Sequence, residues 1–225
     1  MSPHDEALPL LVKTRVKSSR RENIEAIVAA LLLALLIRTF VVEAFKIPSG
    51  SMLPTLQIGD HLLVNKFLYG PRLEIPFTPI SFGRLPGLRA VQAGDVIVFA
   101  FPKDPSQNFI KRVVAVAGQT VHVRGRELLI DGQPADDPHA VHRSGGLTGP
   151  VNFGVRQEIT VPEDHVFVMG DNRDASSDSR EWGFVPVPSI KGRAFIIYWS
   201  WARDDWSLTS GAPWVRWERL GMLVP

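Results

Sequence analysis

The chain has no cysteine among its 225 residues, which excludes disulfides, thiolate zinc sites, iron–sulfur clusters and a cysteine nucleophile together. It also has almost no net charge. Lys and Arg number 25 against 23 Asp and Glu, a formal +2, and 45% of the residues are hydrophobic; this composition excludes an intrinsically disordered chain. Long apolar runs are nearly missing too. A single stretch is long enough to span a bilayer, which excludes a polytopic membrane protein. The length allows one large or two small domains with a sizeable core.

The near-zero average hides an asymmetry. Residues 1–21 hold Lys13, Arg15, Lys17, Arg20 and Arg21 against Asp5 and Glu6, a net +3, and the remaining chain is −1. The apolar stretch follows at once, from Ile24 to Phe45. As a helix these residues would extend ~33 Å at ~1.5 Å per residue, the thickness of a hydrocarbon core. Glu25, Arg38 and Glu43 lie toward its ends, where long side chains reach the headgroups, and Ala26–Ile37 is free of charge. Cations before the span predict a cytoplasmic N-terminus (residues 1–23) and an outside location for everything after it. No small-residue cleavage site follows, so the segment 24–45 is expected to remain as an uncleaved anchor.

Beyond Lys46 the text consists of short β-branched and aromatic runs separated by Gly, Pro and Asp. Asp95–Phe101, Phe109–Val116, Thr120–Val123, Leu128–Ile130, His165–Met169 and Arg193–Trp199 each have strand length. A mostly β domain is expected over residues 46–225. The stretches Gly70–Ala93 and Ala135–Gly154 read as irregular inserts, the second as a surface loop.

Ser49-Gly50-Ser51 stands a few residues beyond the apolar span, and glycine between two serines permits a tight turn that exposes a hydroxyl. The same residues are also ordinary linker text, and a reactive serine needs an activator. None of the six histidines sits in a recognisable triad motif. His139 and His142 have a ligand-like spacing, but without H-E-x-x-H or a carboxylate cluster beyond Asp136 and Asp137, surface-loop histidines are the better reading. Lys111 is the other candidate, since it lies inside the apolar run Phe109-Ile110-Lys111-Arg112-Val113-Val114. Alternation puts it on the face of Phe109 and Val113. Burial disfavours an ammonium, and a neutral amine near pH 7 can take a proton from serine; an edge-strand lysine that snorkels would read the same way. A third polar cluster, GDNRDASSDSR from Gly170 to Arg180, follows the run His165–Met169 and precedes Trp182. Asp178 with Arg180, or Asp171 with Arg173, are expected to pair there and present Ser176 inward.

Taken in order, the anchor, IPSGSMLPTL from Ile47 to Leu56, GDVIVF from Gly94 to Phe99, IKRVV from Ile110 to Val114 and the Gly170–Arg180 cluster resemble bacterial type I signal peptidase. The resemblance spans about residues 40–195 and implies an antiparallel β catalytic domain carrying a small β cap insertion at about 120–163, with one transmembrane helix. It implies a serine endopeptidase that removes signal peptides from preproteins at the outer face of the cytoplasmic membrane, as a monomer, with the lipid bilayer and preproteins as partners and no cofactor, metal or nucleic acid. By position, Ser51 matches the family's nucleophile and Lys111 its general base. Ser176 matches the hydroxyl that holds the lysine, and Ser49 the one that joins the Ser51 N–H in the oxyanion hole. Asp178 and Arg180 match the pair that supports the loop. Phe45, Ile47, Val98 and Ile110 match the walls that admit small side chains at the first and third positions before the cut. Ala175 and Glu181 depart from residues common in the family at positions that are not catalytic. A self-cleaving repressor-type Ser/Lys protease is disfavoured by the anchor, and a non-catalytic anchored β-scaffold would leave the spacing of Ser51, Lys111 and the 171–180 loop unexplained. Five of the six tryptophans, Trp199, Trp201, Trp206, Trp214 and Trp217, lie in the last 27 residues and read either as an interfacial belt or as packing. Ile75–Ile80 is a similar candidate.

Overall fold

A computed structural model describes residues 19–74, 81–142, 157–202 and 214–225. The chain divides into two units, residues 1–36 and 37–225. In the first lies most of helix α1 (Ser19–Phe40), rich in Ala, Leu and Ile, with Glu22 in its first turn and Arg38 in its last, where each complements the helix dipole. Its large apolar side chains, from Ile24 to Ile37, are exposed. Among the described residues it is the one helix long and apolar enough to cross a membrane. The helix starts earlier than the sequence suggests and stops at Phe40; Val42–Phe45, expected in the span, are strand instead. Pairing with a distant segment decides this, because residues 42–46 find backbone partners in residues 61–65.

The second unit is built from β1 (Val42–Lys46), β2 (Asp60–Asn65), β3 (Arg72–Glu74), β4 (Ser81–Arg84), β5 (Val96–Phe101), β6 (Asp104–Val116), β7 (Thr120–Arg124), β8 (Glu127–Ile130), β9 (Gln133–Pro134), β10 (Ile159–Thr160), β11 (His165–Met169), β12 (Val185–Pro186) and β13 (Ile190–Ser200). A short helix, α2 (Ser179–Trp182), precedes β12. The main sheet runs β1-β2-β13-β5-β6-β11-β12, with every neighbour antiparallel. A second sheet, β10-β7-β8-β9, is formed between residues 120 and 160, and β3-β4 is a ribbon inside the stretch read as an irregular insert.

Alternation along the strands sorts the core. In β5, Val96 and Val98 join Ile47, Met52, Leu56, Leu62 and Val64 on one face, while Ile97 and Phe99 pack with Val113, Val168 and Trp182 on the other. In β11, Val166 and Val168 share that second cluster, and Phe167 and Met169 turn to a third with Val121 and Leu128 of the small sheet. The turn carrying Ser51 is pinned to the first cluster by Met52 and Leu56, whose side chains are fully buried four residues apart.

Candidate active site

The turn Gly50–Leu56 leaves β1 through the buried Ile47 and is closed by hydrogen bonds from Leu53 N to Gly50 O (3.2 Å) and from Leu56 N to Met52 O (2.9 Å). Ser51 stands at its start and is 8% exposed. Lys111 comes from the middle of β6 and is 4% exposed. Its Nζ donates to Ser51 Oγ across 2.7 Å and lies 5.5 Å from the centre of the Phe109 ring. The two hydroxyls Ser49 Oγ and Ser51 Oγ are 3.5 Å apart, and Ser49 is exposed.

Burial sets the lysine's proton affinity. Loss of solvation lowers its pKa from an ordinary 10.5 to about 8, opposed by Asp178, with Arg180 lowering it further and Asp171 again raising it. A fraction of the amine is therefore neutral at physiological pH, with a lone pair 2.7 Å from the serine oxygen. The contact that runs from ammonium to hydroxyl can then run from hydroxyl to amine.

The polar loop after β11 wraps this pair. Asn172 N donates to Ser51 O (3.1 Å) and Asn172 Nδ2 to Gly50 O (3.1 Å). Asp178 caps α2, accepts from Gly170 N (3.0 Å) and pairs with Arg180 through two hydrogen bonds of 2.8 Å. That pair matches the expectation; the pairing of Asp171 with Arg173 does not. Asp171 instead receives Arg112 Nε and Nη2 at 2.9 and 2.8 Å, with Thr55 Oγ1 at 2.5 Å, and Arg173 pairs with Asp137. The reason is alternation in β6: next to Lys111, Arg112 turns the other way and needs a buried counterion, which Asp171 alone among these carboxylates supplies with both oxygens.

Ser176 Oγ is buried beside Gly170 and, among the described residues, makes no hydrogen bond to Lys111 or any other group. A Cβ on Gly170 would fall 2.3 Å from Ser176 Oγ and 2.5 Å from Ser51 O, so only glycine lets the loop pass between them. Phe45, Ile47, Val98 and Ile110 are brought together beside Met52, the residue after the serine. Ile47 and Val98 are buried, and Phe45 is the half-exposed member. The stretch read as a surface loop is partly ordered against the site: Val141 pairs with Asn172 and His142 Nδ1 lies 3.3 Å from Asp174 Oδ1. Residues 143–154 of that stretch, Trp206 and Ile75–Ile80 lie outside the described residues. Of the other tryptophans, Trp199 packs edge-on against Trp201 and Trp217, and Trp217 is 65% exposed.

The family model described as "Signal peptidase, peptidase S26" matches residues 20–199. The chain belongs to the signal peptidase family, peptidase S26. Signal peptidase I of Pseudomonas aeruginosa is 38% identical over 202 residues, which cover 76% of this chain and 69% of the relative. Probable signal peptidase I-1 of a Synechocystis strain is 40% identical over 190 residues, 81% of this chain and 84% of its own. Signal peptidase I of Leptolyngbya laminosa is 38% identical over 200 residues, 86% of each. A solved signal peptidase I from Enterococcus faecalis is 31% identical, covers 48% of this chain and 98% of its own, and superposes with a TM-score of 0.40. The chain is thus a serine peptidase that removes signal peptides, with a mostly antiparallel β fold and an N-terminal apolar helix. The anchored scaffold and the repressor-type protease give way to it.

Sequence reasoning left out three residues that the structure brings to the candidate site: Arg112, Asn172 and Asp137. Arg112 had a signal, a second cation inside an apolar run. Asn172 and Asp137 had none, because their roles depend on contacts with Gly50, Ser51 and Arg173 that only the fold creates.

Proposed function

We propose that Ser51 is the nucleophile and Lys111 its general base. The observation that carries this reading is the 2.7 Å contact between Ser51 Oγ and a buried lysine whose pKa is lowered to about 8. Ser51 Oγ attacks the scissile carbonyl as neutral Lys111 takes its proton. The oxyanion is met by the Ser51 N–H and the Ser49 hydroxyl; donors of this kind each contribute about 10²–10³ in rate. Lys111 then gives its proton to the leaving amine, takes one from a water as that water attacks the acyl carbonyl, and returns it to Ser51 Oγ as the acyl–oxygen bond breaks. Ser176, Asp178 and Arg180 support the lysine's surroundings. Phe45, Ile47, Val98 and Ile110 favour small side chains before the cut by excluding bulk.

In the same reading α1 anchors the chain in the cytoplasmic membrane, with residues 1–23 inside and the β domain, which the strand Val42–Lys46 opens, including its cap at about 120–163, outside. The substrates are preproteins presented at the outer face of the bilayer, and the enzyme acts as a monomer. The +3 charge of residues 1–21 supports this orientation. Two measurements test the proposal. Ser51→Ala should abolish cleavage of a preprotein while leaving the fold intact, and an active Ser51→Ala enzyme would refute it. A reporter fused after residue 60 should be active only outside the cytoplasm; a cytoplasmic signal would overturn the orientation.

A further inference from the structure

Arg173 is 3% exposed, although its guanidinium carries a full charge. A buried cation needs a counterion, and its nearest neighbours in sequence do not serve: Asp171 is taken by Arg112, and Asp174 lies against His142. The counterion is Asp137, from a segment 36 positions earlier in the chain. That segment also makes main-chain contacts with the loop. Val141 N donates to Asp171 O (2.8 Å), Arg173 N donates to Val141 O (2.9 Å), and the two segments form an isolated parallel bridge at Val141 and Asn172. His142 Nδ1 meets the fully buried Asp174 carboxylate at 3.3 Å.

On its opposite side the same loop grips the nucleophile. Asn172, held by Val141 on one flank, binds the carbonyls of Ser51 and Gly50 on the other. Arg173 Nε donates to Gly170 O (3.2 Å), and Gly170 passes against Ser51 O and Ser176. A shift of residues 137–142 therefore reaches the Ser51 main chain through Asn172 and Gly170. Residues 137–142 lie outside the motif segments quoted for the family, though inside the matched stretch 20–199.

We propose that residues 137–142 are a strap that holds the 170–176 loop in register with Ser51, and that Asp137 and His142 are positioning residues for catalysis. The inference rests on Ser51 being the nucleophile. A displacement of about 1 Å at a reacting group can cost on the order of 10²-fold in rate without changing what binds. Asp137→Asn keeps the shape and removes the charge, and is expected to lower kcat about 10- to 100-fold with KM within about twofold. Asp137→Glu restores the charge and should recover most of the loss, which a purely volumetric role would not produce. His142→Asn keeps a polar group for Asp174 and should lower kcat by about three- to tenfold.

The test is steady-state cleavage of a quenched peptide with Ala at the first and third positions before the cut, using the full chain in detergent micelles. Ser51→Ala runs beside the strap variants. If Ser51→Ala is inactive and the folded Asp137→Asn or His142→Asn enzyme keeps wild-type kcat, the strap has no positioning role. A loss expressed only in KM overturns it as well. If Ser51→Ala is active, the reading of the site itself falls. Should Asp137→Asn fail to fold, Asp137→Glu and His142→Asn decide the matter by the same kcat criterion.

Discussion

Raising the pH through the Lys111 titration should switch the enzyme on. Only the neutral amine can take the Ser51 proton, so the rate follows the deprotonated fraction of a group whose pKa burial has lowered to about 8. That fraction is about 1% at pH 6, about 9% at pH 7 and about half at pH 8. The value of kcat/KM should therefore rise about 50-fold between pH 6 and 8, then only about twofold more above it. The assay is cleavage of a quenched signal-peptide substrate by the full chain in micelles, with enzyme returned to pH 8 after each exposure to show that the loss is reversible. Lys111→Arg sharpens the test, because a guanidinium stays charged throughout this range and should be inactive at every pH. A flat profile from pH 6 to 9, or a rise centred near the ordinary lysine value of 10.5, would refute the reasoning.

Three further outcomes follow from the same geometry. Lys111→Met should stabilise the fold at pH 7 by up to about 3 kcal/mol, because the wild type must hold an ammonium that burial disfavours. The advantage is fully present below about pH 8 and fades as pH rises toward 10.5, where the unfolded lysine is neutral too; urea midpoints of the two proteins at pH 7 and pH 10 check the sign. Gly170→Ala should lower kcat by at least about tenfold, since the new methyl would stand 2.3 Å from Ser176 Oγ and 2.5 Å from Ser51 O and must move one of them; unchanged kinetics would show that the loop yields elsewhere. Asp178→Asn leaves the Arg180 guanidinium buried without its anion and should cost about 3–5 kcal/mol of unfolding free energy, read as a lowered denaturation midpoint.

Local pattern carried much of the fold. His165–Met169 is a strand over the very residues its length and composition suggested, and Arg193–Trp199 lies within a longer strand, Ile190–Ser200. What local pattern could not show was pairing across distance. Val42–Phe45 continue the apolar text of the helix, and nothing in them says that residues 61–65 will take their backbone groups. The Gly70–Ala93 stretch reads as irregular, yet Arg72–Glu74 finds a partner in Ser81–Arg84.

The site divides along the same line. Ser51 and Lys111 each stand out in their surroundings, a serine in a turn-forming Gly context and a cation in an apolar strand, but linker text and a snorkelling lysine read the same way, and it was the order of the motifs that singled them out. The Asp178 and Arg180 pair was legible because its members are two residues apart. Asp171 and Arg173 are equally close, but each is claimed by a remote partner with a stronger need for it, Arg112 inside the sheet and Asp137 on the strap. Proximity in sequence identifies a pair only when burial elsewhere does not compete for the same charge.

If neutral Lys111 activates Ser51, preprotein cleavage must depend on the lysine as it does on the serine, which Lys111→Met measured beside the wild type and Ser51→Ala will show. Lys111→Met should fold, bind substrate and cleave about 10⁴-fold more slowly, as Ser51→Ala does. A Lys111→Met enzyme within about tenfold of the wild type would contradict it.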